Sequence, residues 1–94
     1  MKWEFKDDRP IYLQIAETVK TAVVSGEIPP GERLSSVREL AAEAGVNPNT
    51  MQRAFSELER EGMVYSQRTS GRFVTDDTDL IMQKRREVAE AELH

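Results

Sequence analysis

Asn49, Thr50, Gln52, Arg53 and Ser56 are spaced so that a single helix would carry them on its outward side. Every one of them ends in a hydrogen-bonding group and none is acidic. Side-chain amides pair bidentately with adenine, a guanidinium pairs with the O6/N7 edge of guanine, and a threonine methyl can touch the methyl of thymine. Acids enter only at Glu57, Glu59 and Glu61, at the far end of the same helix, where they are expected to face away from phosphate. A merely solvated face usually mixes Glu and Lys throughout. This one points to the edges of DNA bases, read from the N-terminal half of a helix lying in the major groove.

Two further groups suit the nucleic-acid backbone. Ser36 and Arg38 begin a preceding helix, where a hydroxyl, free backbone N–H groups and a guanidinium can all meet phosphate. Arg68 and Arg72 flank a polar turn, and a cationic tip on a thin hairpin can reach a minor groove or the backbone.

These residues need elements to position them. Ile11, Ile15, Val19 and Val23 recur every fourth residue after Pro10, with Tyr12 and Ala16 widening the stripe, so a first amphipathic helix is expected up to Gly26. Pro29-Pro30-Gly31 then forces a turn. Ser36-Val37-Arg38-Glu39 is a capping box, and Val37, Leu40, Ala41 and Ala44 give a short second helix its apolar face, closed by Gly45. Asn47 caps the third helix, Pro48 occupies its first position, and Met51, Ala54, Phe55 and Leu58 face inward before Gly62 ends it. Only Gly45, Val46 and Asn47 separate these two helices, which is the signature of a helix-turn-helix.

Val64-Tyr65-Ser66 and Arg72-Phe73-Val74 are β-prone, and the polar run 67–71 between them predicts a hairpin. The expected fold is mainly α with a small β-hairpin: a winged helix-turn-helix over 1–75, followed by a linker and a C-terminal helix over 76–94. Thr75 to Asp79 is a polar linker that can cap this last helix, a simpler role for Asp76, Asp77 and Asp79 than holding a metal. Leu80, Ile81, Met82, Val88, Ala89, Ala91 and Leu93 form no clean single stripe, and Leu80, Ile81, Met82, Val88 and Leu93 have no evident partner in the core of the head. A second copy is therefore expected to cover them. Trp3 and Phe5 are expected to pack over the first helix.

The chain has 94 residues, room for one small domain with an added element. No apolar run approaches the roughly 18 residues of a membrane span, and the charged N-terminus is unlike a signal peptide. There is no cysteine, which excludes disulfides and thiolate metal sites and fits a cytoplasmic location. The net charge of −4 is unevenly spread. Residues 33–72 carry six basic side chains, all arginine, against five glutamates, while both flanking stretches are acidic. Arginine is the side chain best shaped for phosphate and guanine. His94 is the lone histidine, and no phosphate loop or Gly-x-Ser-x-Gly occurs, so no enzyme and no cofactor are expected.

The chain resembles the GntR family of bacterial regulators, above all its YtrA-like branch, from about Trp3 to Val74. The resemblance rests on Pro10-Ile11-Tyr12-Leu13-Gln14-Ile15, on Gly26 through Pro30-Gly31, and on Leu34-Ser35-Ser36-Val37-Arg38-Glu39-Leu40-Ala41. It continues in Asn47-Pro48-Asn49-Thr50-Met51-Gln52-Arg53-Ala54 and in Gly71-Arg72-Phe73-Val74. It implies a winged helix bound to DNA as a two-fold dimer, with contacts from Ser36, Arg38, Asn49, Thr50, Gln52, Arg53 and the wing around Gly71. With the cap residue Asn47 and the wing residues Arg68, Ser70 and Arg72, these make up the expected DNA-binding set. Ser35 stands where the family usually has proline, which would loosen the start of the second helix. Thr69 stands where the wing usually has the first glycine of a Gly-x-Gly pair. This departure predicts a wing that acts through Arg68 and Arg72 rather than through close backbone approach.

The resemblance further implies a short helical tail that dimerises. The chain stops earlier than it leads one to expect, as a naturally short member or a truncated one would. The function expected is that of a dimeric repressor reading a palindromic operator, with the helix at 48–61 in the major groove and the wing at 64–74 alongside. Two alternatives stand beside it: a winged helix that binds protein, and the head of a longer regulator with a separate effector or enzyme-like domain.

Overall fold

The computed structural model describes residues 1–92. Leu93, which the apolar pattern assigned to the last helix, and His94 lie outside the described residues. The order of elements is α1 (Ile11–Val24), α2 (Val37–Ala44), α3 (Pro48–Arg60), β1 (Val64–Gln67), β2 (Gly71–Val74) and α4 (Thr78–Glu92). This is the winged helix-turn-helix with a further helix that the sequence predicts.

The helix signals act as expected. Ser36 Oγ accepts from the backbone N–H of Glu39 at 3.1 Å, and its hydroxyl donates to Glu39 Oε1 at 3.0 Å, so the Glu39 carboxylate closes the capping box onto the hydroxyl. Asn47 Oδ1 accepts from the N–H of Asn49 at 2.7 Å and starts α3 with Pro48 in its first turn. Between the two helices Gly45 takes a left-handed φ of 73° and returns its N–H to the Ala42 carbonyl. Pro10 is the cap residue of α1.

Phe55, Met51 and Leu58 of α3 meet Ile15, Val19 and Val23 of α1, and Met63, just before β1, with Val64 and Val74 of the hairpin closes the same fully buried core. Burying each of the larger side chains contributes roughly 1.5–3 kcal/mol. The hairpin is antiparallel, with Val64 opposite Val74 and Tyr65 opposite Phe73, whose rings stack at 5.7 Å.

A third extended segment, absent from the sequence-based expectation, runs along the free edge of β2. The N–H of Gly31 donates to Val74 O at 3.0 Å, that of Val74 to Glu32 O at 2.9 Å, and that of Leu34 to Arg72 O at 2.9 Å. The segment carries Pro29-Pro30-Gly31 and only one large apolar residue, Leu34, so it lacks the alternation that marks a strand. Its ladder ties the wing to the chain just before α2.

Two local devices hold the ends of the fold. Gln14, buried on α1, accepts from Lys6 N–H at 2.8 Å through Oε1 and donates through Nε2 to the carbonyls of Lys6 and Arg9, each at 2.8 Å. A buried amide must be satisfied in this way, and here it clips the N-terminal segment onto α1, with Trp3 and Phe5 packed against the core as expected.

The second device corrects the expectation for the last helix. Ile81 and Val88 of α4 pack against the core, and a Cβ placed on Gly62 would lie 3.2 Å from Leu80 Cδ2. Leu80, Ile81 and Val88 thus have partners within their own chain. Ile81, Lys84 and Val88 lie at i, i+3 and i+7 on the face of α4 that packs beside α1, while Met82, Ala89 and Ala91 on its other sides are exposed and blur the stripe in the sequence. Met82 remains outside, 57% exposed. Thr75 Oγ1 accepts from the N–H of Asp77, and Asp77 Oδ1 accepts from that of Leu80, so the acidic linker does cap α4.

Glu61 anchors this helix. Its Oε1 accepts from Lys20 Nζ of α1 at 2.8 Å and from Lys84 Nζ of α4 at 3.0 Å. Burial opposes ionisation of Glu61, yet the two lysine hydrogen bonds and their charges together hold its carboxyl below the ordinary carboxylate value. The hydrogen bond to Glu61 raises the Lys84 ammonium above its ordinary value.

Candidate nucleic-acid interface

The N-terminal half of α3 presents Asn49, Gln52 and Arg53 to solvent, with Thr50 half-buried at the flank. Met51, Ala54, Phe55 and Leu58 are locked in the core, and the helical period sends the intervening side chains outward. Gln52 Nε2 lies 3.4 Å from Ser56 Oγ, whose hydroxyl donates to the Gln52 carbonyl at 3.1 Å. The amide of Gln52 is weakly held and free to re-pair. Asn47 is exposed, but its carbonyl oxygen is engaged as the cap. Its amide N–H groups remain outward donors.

Ser36 and Arg38 lie exposed at the start of α2. The Ser36 hydroxyl must release Glu39 before it can donate to a phosphate, whereas Arg38 forms no ion pair among the described residues. At the wing, Arg68, Ser70 and Gly71 are exposed around the turn closed by Ser70 N–H to Gln67 O. Among the described residues none other than glycine has a positive φ, so Thr69 is unstrained and the missing glycine leaves the turn intact. Gly71, at φ 109°, is the position where the turn requires glycine.

Arg72 sits differently from Arg68. Its Nε and Nη2 donate to Glu59 Oε1 at 2.9 and 2.8 Å, and its guanidinium lies 5.1 Å from the Phe55 ring centroid. Only 18% of the side chain is exposed. Glu59 turns to the wing and also accepts from Ser66 Oγ at 3.0 Å. Glu57 pairs with Arg60, and Glu61 turns to α1 and α4.

Three participants escaped sequence reasoning. Arg33 is exposed beside the wing, so close that a Cβ on Gly71 would lie 3.1 Å from its Nε. With Ser35, Ser36, Gly71 and Arg72 it lines a groove of 380 Å³ between the wing and the start of α2. The available signal was the surplus of arginine over 33–72, which counts Arg33 without placing it. Tyr12, at the start of α1, lies under Arg53, whose Cζ is 3.8 Å from its ring centroid. Glu59 is the third. Of the six arginines over 33–72, Arg60 and Arg72 are ion-paired, while Arg33, Arg38, Arg53 and Arg68 form no ion pair among the described residues. The unpaired four are the cations of the outer face of α3, the start of α2 and the wing.

A helix-turn-helix whose second helix offers a polar, acid-free N-terminal half, flanked by a cationic hairpin, defines a winged-helix domain of the kind found in transcription regulators. Residues 11–74 match the model of the family described as bacterial regulatory proteins, gntR family. The chain belongs to the GntR family, a family of DNA-binding transcription regulators rather than enzymes.

The chain is 44% identical over 78 residues to the HTH-type transcriptional regulator YhcF of Bacillus subtilis, covering 83% of this chain and 64% of that one. It is 40% identical over 72 residues to the HTH-type transcriptional repressor YtrA of the same organism, covering 77% of this chain and 55% of YtrA. The chain thus spans less than two thirds of the length of either relative. A GntR family transcriptional regulator from Listeria monocytogenes superposes with a TM-score of 0.89 at 40% identity, over 95% of this chain and 78% of the other. The DNA-binding domain of AraR, solved in complex with operator ORX1, gives a TM-score of 0.71 at 26% identity, over 80% of this chain and 96% of that domain.

Proposed function

We propose that the chain reads a palindromic operator as a dimeric repressor of the YtrA-like branch, in the cytoplasm, with α3 in the major groove and the hairpin alongside. The observation that carries this is the outer face of α3. Asn49, Gln52 and Arg53 are exposed together, acid-free over the first two turns, with the Arg53 guanidinium in no ion pair among the described residues. Such donors and acceptors match base edges. Arg38, Arg68 and Arg33, the last beside Gly71, are assigned to phosphate, and Ser36, Asn47, Thr50, Ser70 and Gly71 complete the interface. Arg72, tied to Glu59, serves the wing first as a strut.

The repressor function rests on the name of YtrA, and operator binding on the AraR complex. Dimerisation is assigned to the outer face of α4, where Met82 is the large apolar side chain left exposed. A second copy seated there would set two recognition helices about 34 Å, or a multiple, apart. Joining the two heads would compensate for the few phosphate contacts each makes. Selection from a random duplex pool tests this reading. An enriched palindrome is expected, bound with a steep dependence on salt. Enrichment of a single half-site would remove the dimer, and no enrichment would remove sequence reading altogether.

A further inference from the structure

Arg53 and Arg72 are held in opposite ways. Arg72 is bound along its N–H edge: Nε and Nη2 both reach Glu59 Oε1, so two of its five N–H donors are engaged and the guanidinium is tethered to a carboxylate. Arg53 is bound by its face. Its Cζ lies 3.8 Å from the centroid of the Tyr12 ring, and among the described residues its guanidinium makes no hydrogen bond and no ion pair. Stacking on a ring occupies the π surface of a guanidinium and leaves all five N–H donors pointing outward in its plane. Tyr12 is a fixed platform for this stack. It sits half-buried in the first turn of α1 and packs against the core, and α1 in turn is packed on α3.

We propose that Tyr12 is a positioning residue for sequence reading: it holds the Arg53 guanidinium so that its N–H edge is aimed at the O6/N7 edge of a guanine in the major groove. The proposal rests on the DNA-reading function above and adds the residue that prepares its most specific contact. A free arginine has four side-chain torsions to fix on binding. A stacked one has surrendered much of that freedom before the DNA arrives, so less is lost when the base contact forms. An immobilised long side chain of this kind is worth about two- to ten-fold in affinity. Because a ring supplies the hold, no carboxylate is placed where it would repel phosphate.

The test is a double-mutant cycle on the full chain, using the duplex selected from a random pool and the same duplex with 7-deazaguanine, which lacks N7, at each guanine in turn. Tyr12→Leu is expected to weaken binding to the selected duplex about two- to ten-fold. Its effect should shrink on the one substituted duplex that also abolishes the effect of Arg53→Ala. Tyr12→Phe keeps the ring and should bind as the parent does. In the Arg53→Ala background, Tyr12→Leu should change nothing further. Thermal melting monitors folding, and Tyr12→Met replaces Tyr12→Leu should the latter fail to fold. Without DNA, the Arg53 Hε resonance should show a ring-current shift in the parent and in Tyr12→Phe, and lose it in the aliphatic variant. An equal loss from Tyr12→Leu with and without Arg53, or full binding by Tyr12→Leu, would overturn the proposal while leaving DNA reading intact. A chain that selects no duplex would overturn both, and the ring-current shift would then report a stack with no reading task.

Discussion

Arg72 on β2 and Glu59 on α3 meet at one oxygen, with Nε and Nη2 of the arginine 2.9 and 2.8 Å from Glu59 Oε1. The pair joins the wing to the recognition helix across 13 residues of chain. A cation so engaged contributes little to phosphate attraction. Arg72→Ala is therefore expected to lower stability by about 0.5–1 kcal/mol, the range for a partly screened ion pair, and to leave the salt dependence of DNA binding nearly unchanged. Arg68→Ala should lower the salt slope by about one. Titrations at several salt concentrations, with thermal melts of each variant, check both. A slope change of one from Arg72→Ala would show that the arginine leaves Glu59 for phosphate.

Base and backbone contacts should separate by mutation. Arg53→Ala and Asn49→Ala should each cost about 1–3 kcal/mol on the preferred duplex and much less on a mismatched one, because both side chains face outward on α3. Arg38→Ala, at the start of α2, should weaken every duplex alike and lower the salt slope by about one. Matched and mismatched duplexes titrated side by side distinguish these outcomes. Equal losses on all duplexes from Arg53→Ala would reassign that residue to phosphate.

The wing tolerates change at Thr69 and not at Gly71. Thr69 has no positive φ, so Thr69→Gly should alter affinity less than two-fold, about 0.4 kcal/mol or less. Gly71 has φ 109°, and a Cβ there would lie 3.1 Å from Arg33 Nε. Gly71→Ala should cost about 1–3 kcal/mol in strain and displace Arg33. Thermal melts and duplex titration read the two effects. A stable, tightly binding Gly71→Ala protein would show that the hairpin turn has another conformation of similar energy.

The Glu61 cluster predicts a dependence on pH with a definite sign. The Glu61 carboxyl is held below its ordinary 4.5, so its stabilisation is complete above that value and is lost as pH falls through the lower folded-state value. Lys84 is raised above 10.5, so its contribution is complete below that value and is lost as pH rises through the folded-state value. Glu61→Gln should flatten both arms of a plot of melting temperature against pH. An acid arm as steep as that of the parent would place the titrating group elsewhere.

Removing residues after Asp79 should leave a winged helix that is folded but weakened, because Ile81 and Val88 lose their seat on the core. Two half-buried side chains correspond to about 2–3 kcal/mol. The same truncation removes Met82 and with it the proposed dimer face. Sedimentation and melting of the full and shortened chains test the two effects separately. A shortened chain that remained dimeric would put the interface on the head.

The sequence by itself determined the local elements and the residue types of the site. Capping at Ser36 and Asn47, the glycines at 45 and 62, and the apolar spacing of Met51, Ala54, Phe55 and Leu58 are effects within a few residues, so they are legible in one dimension. The same spacing fixed Asn49, Gln52 and Arg53 as outward-facing. Only the tertiary structure decided which arginines are free and which are engaged. Glu59 captures Arg72, and Tyr12 takes the face of Arg53. The segment 31–34 is drawn along the edge of β2, with an isolated bridge at Arg33, through bonds to residues some forty positions away. It also decided where α4 goes. Ile81 and Val88 share the face of α4 that packs beside α1, but Met82, Ala89 and Ala91 are apolar too and stay exposed, so the sequence alone does not single out the buried face. Burial depends on which face meets α1 as well as on the period of the helix itself.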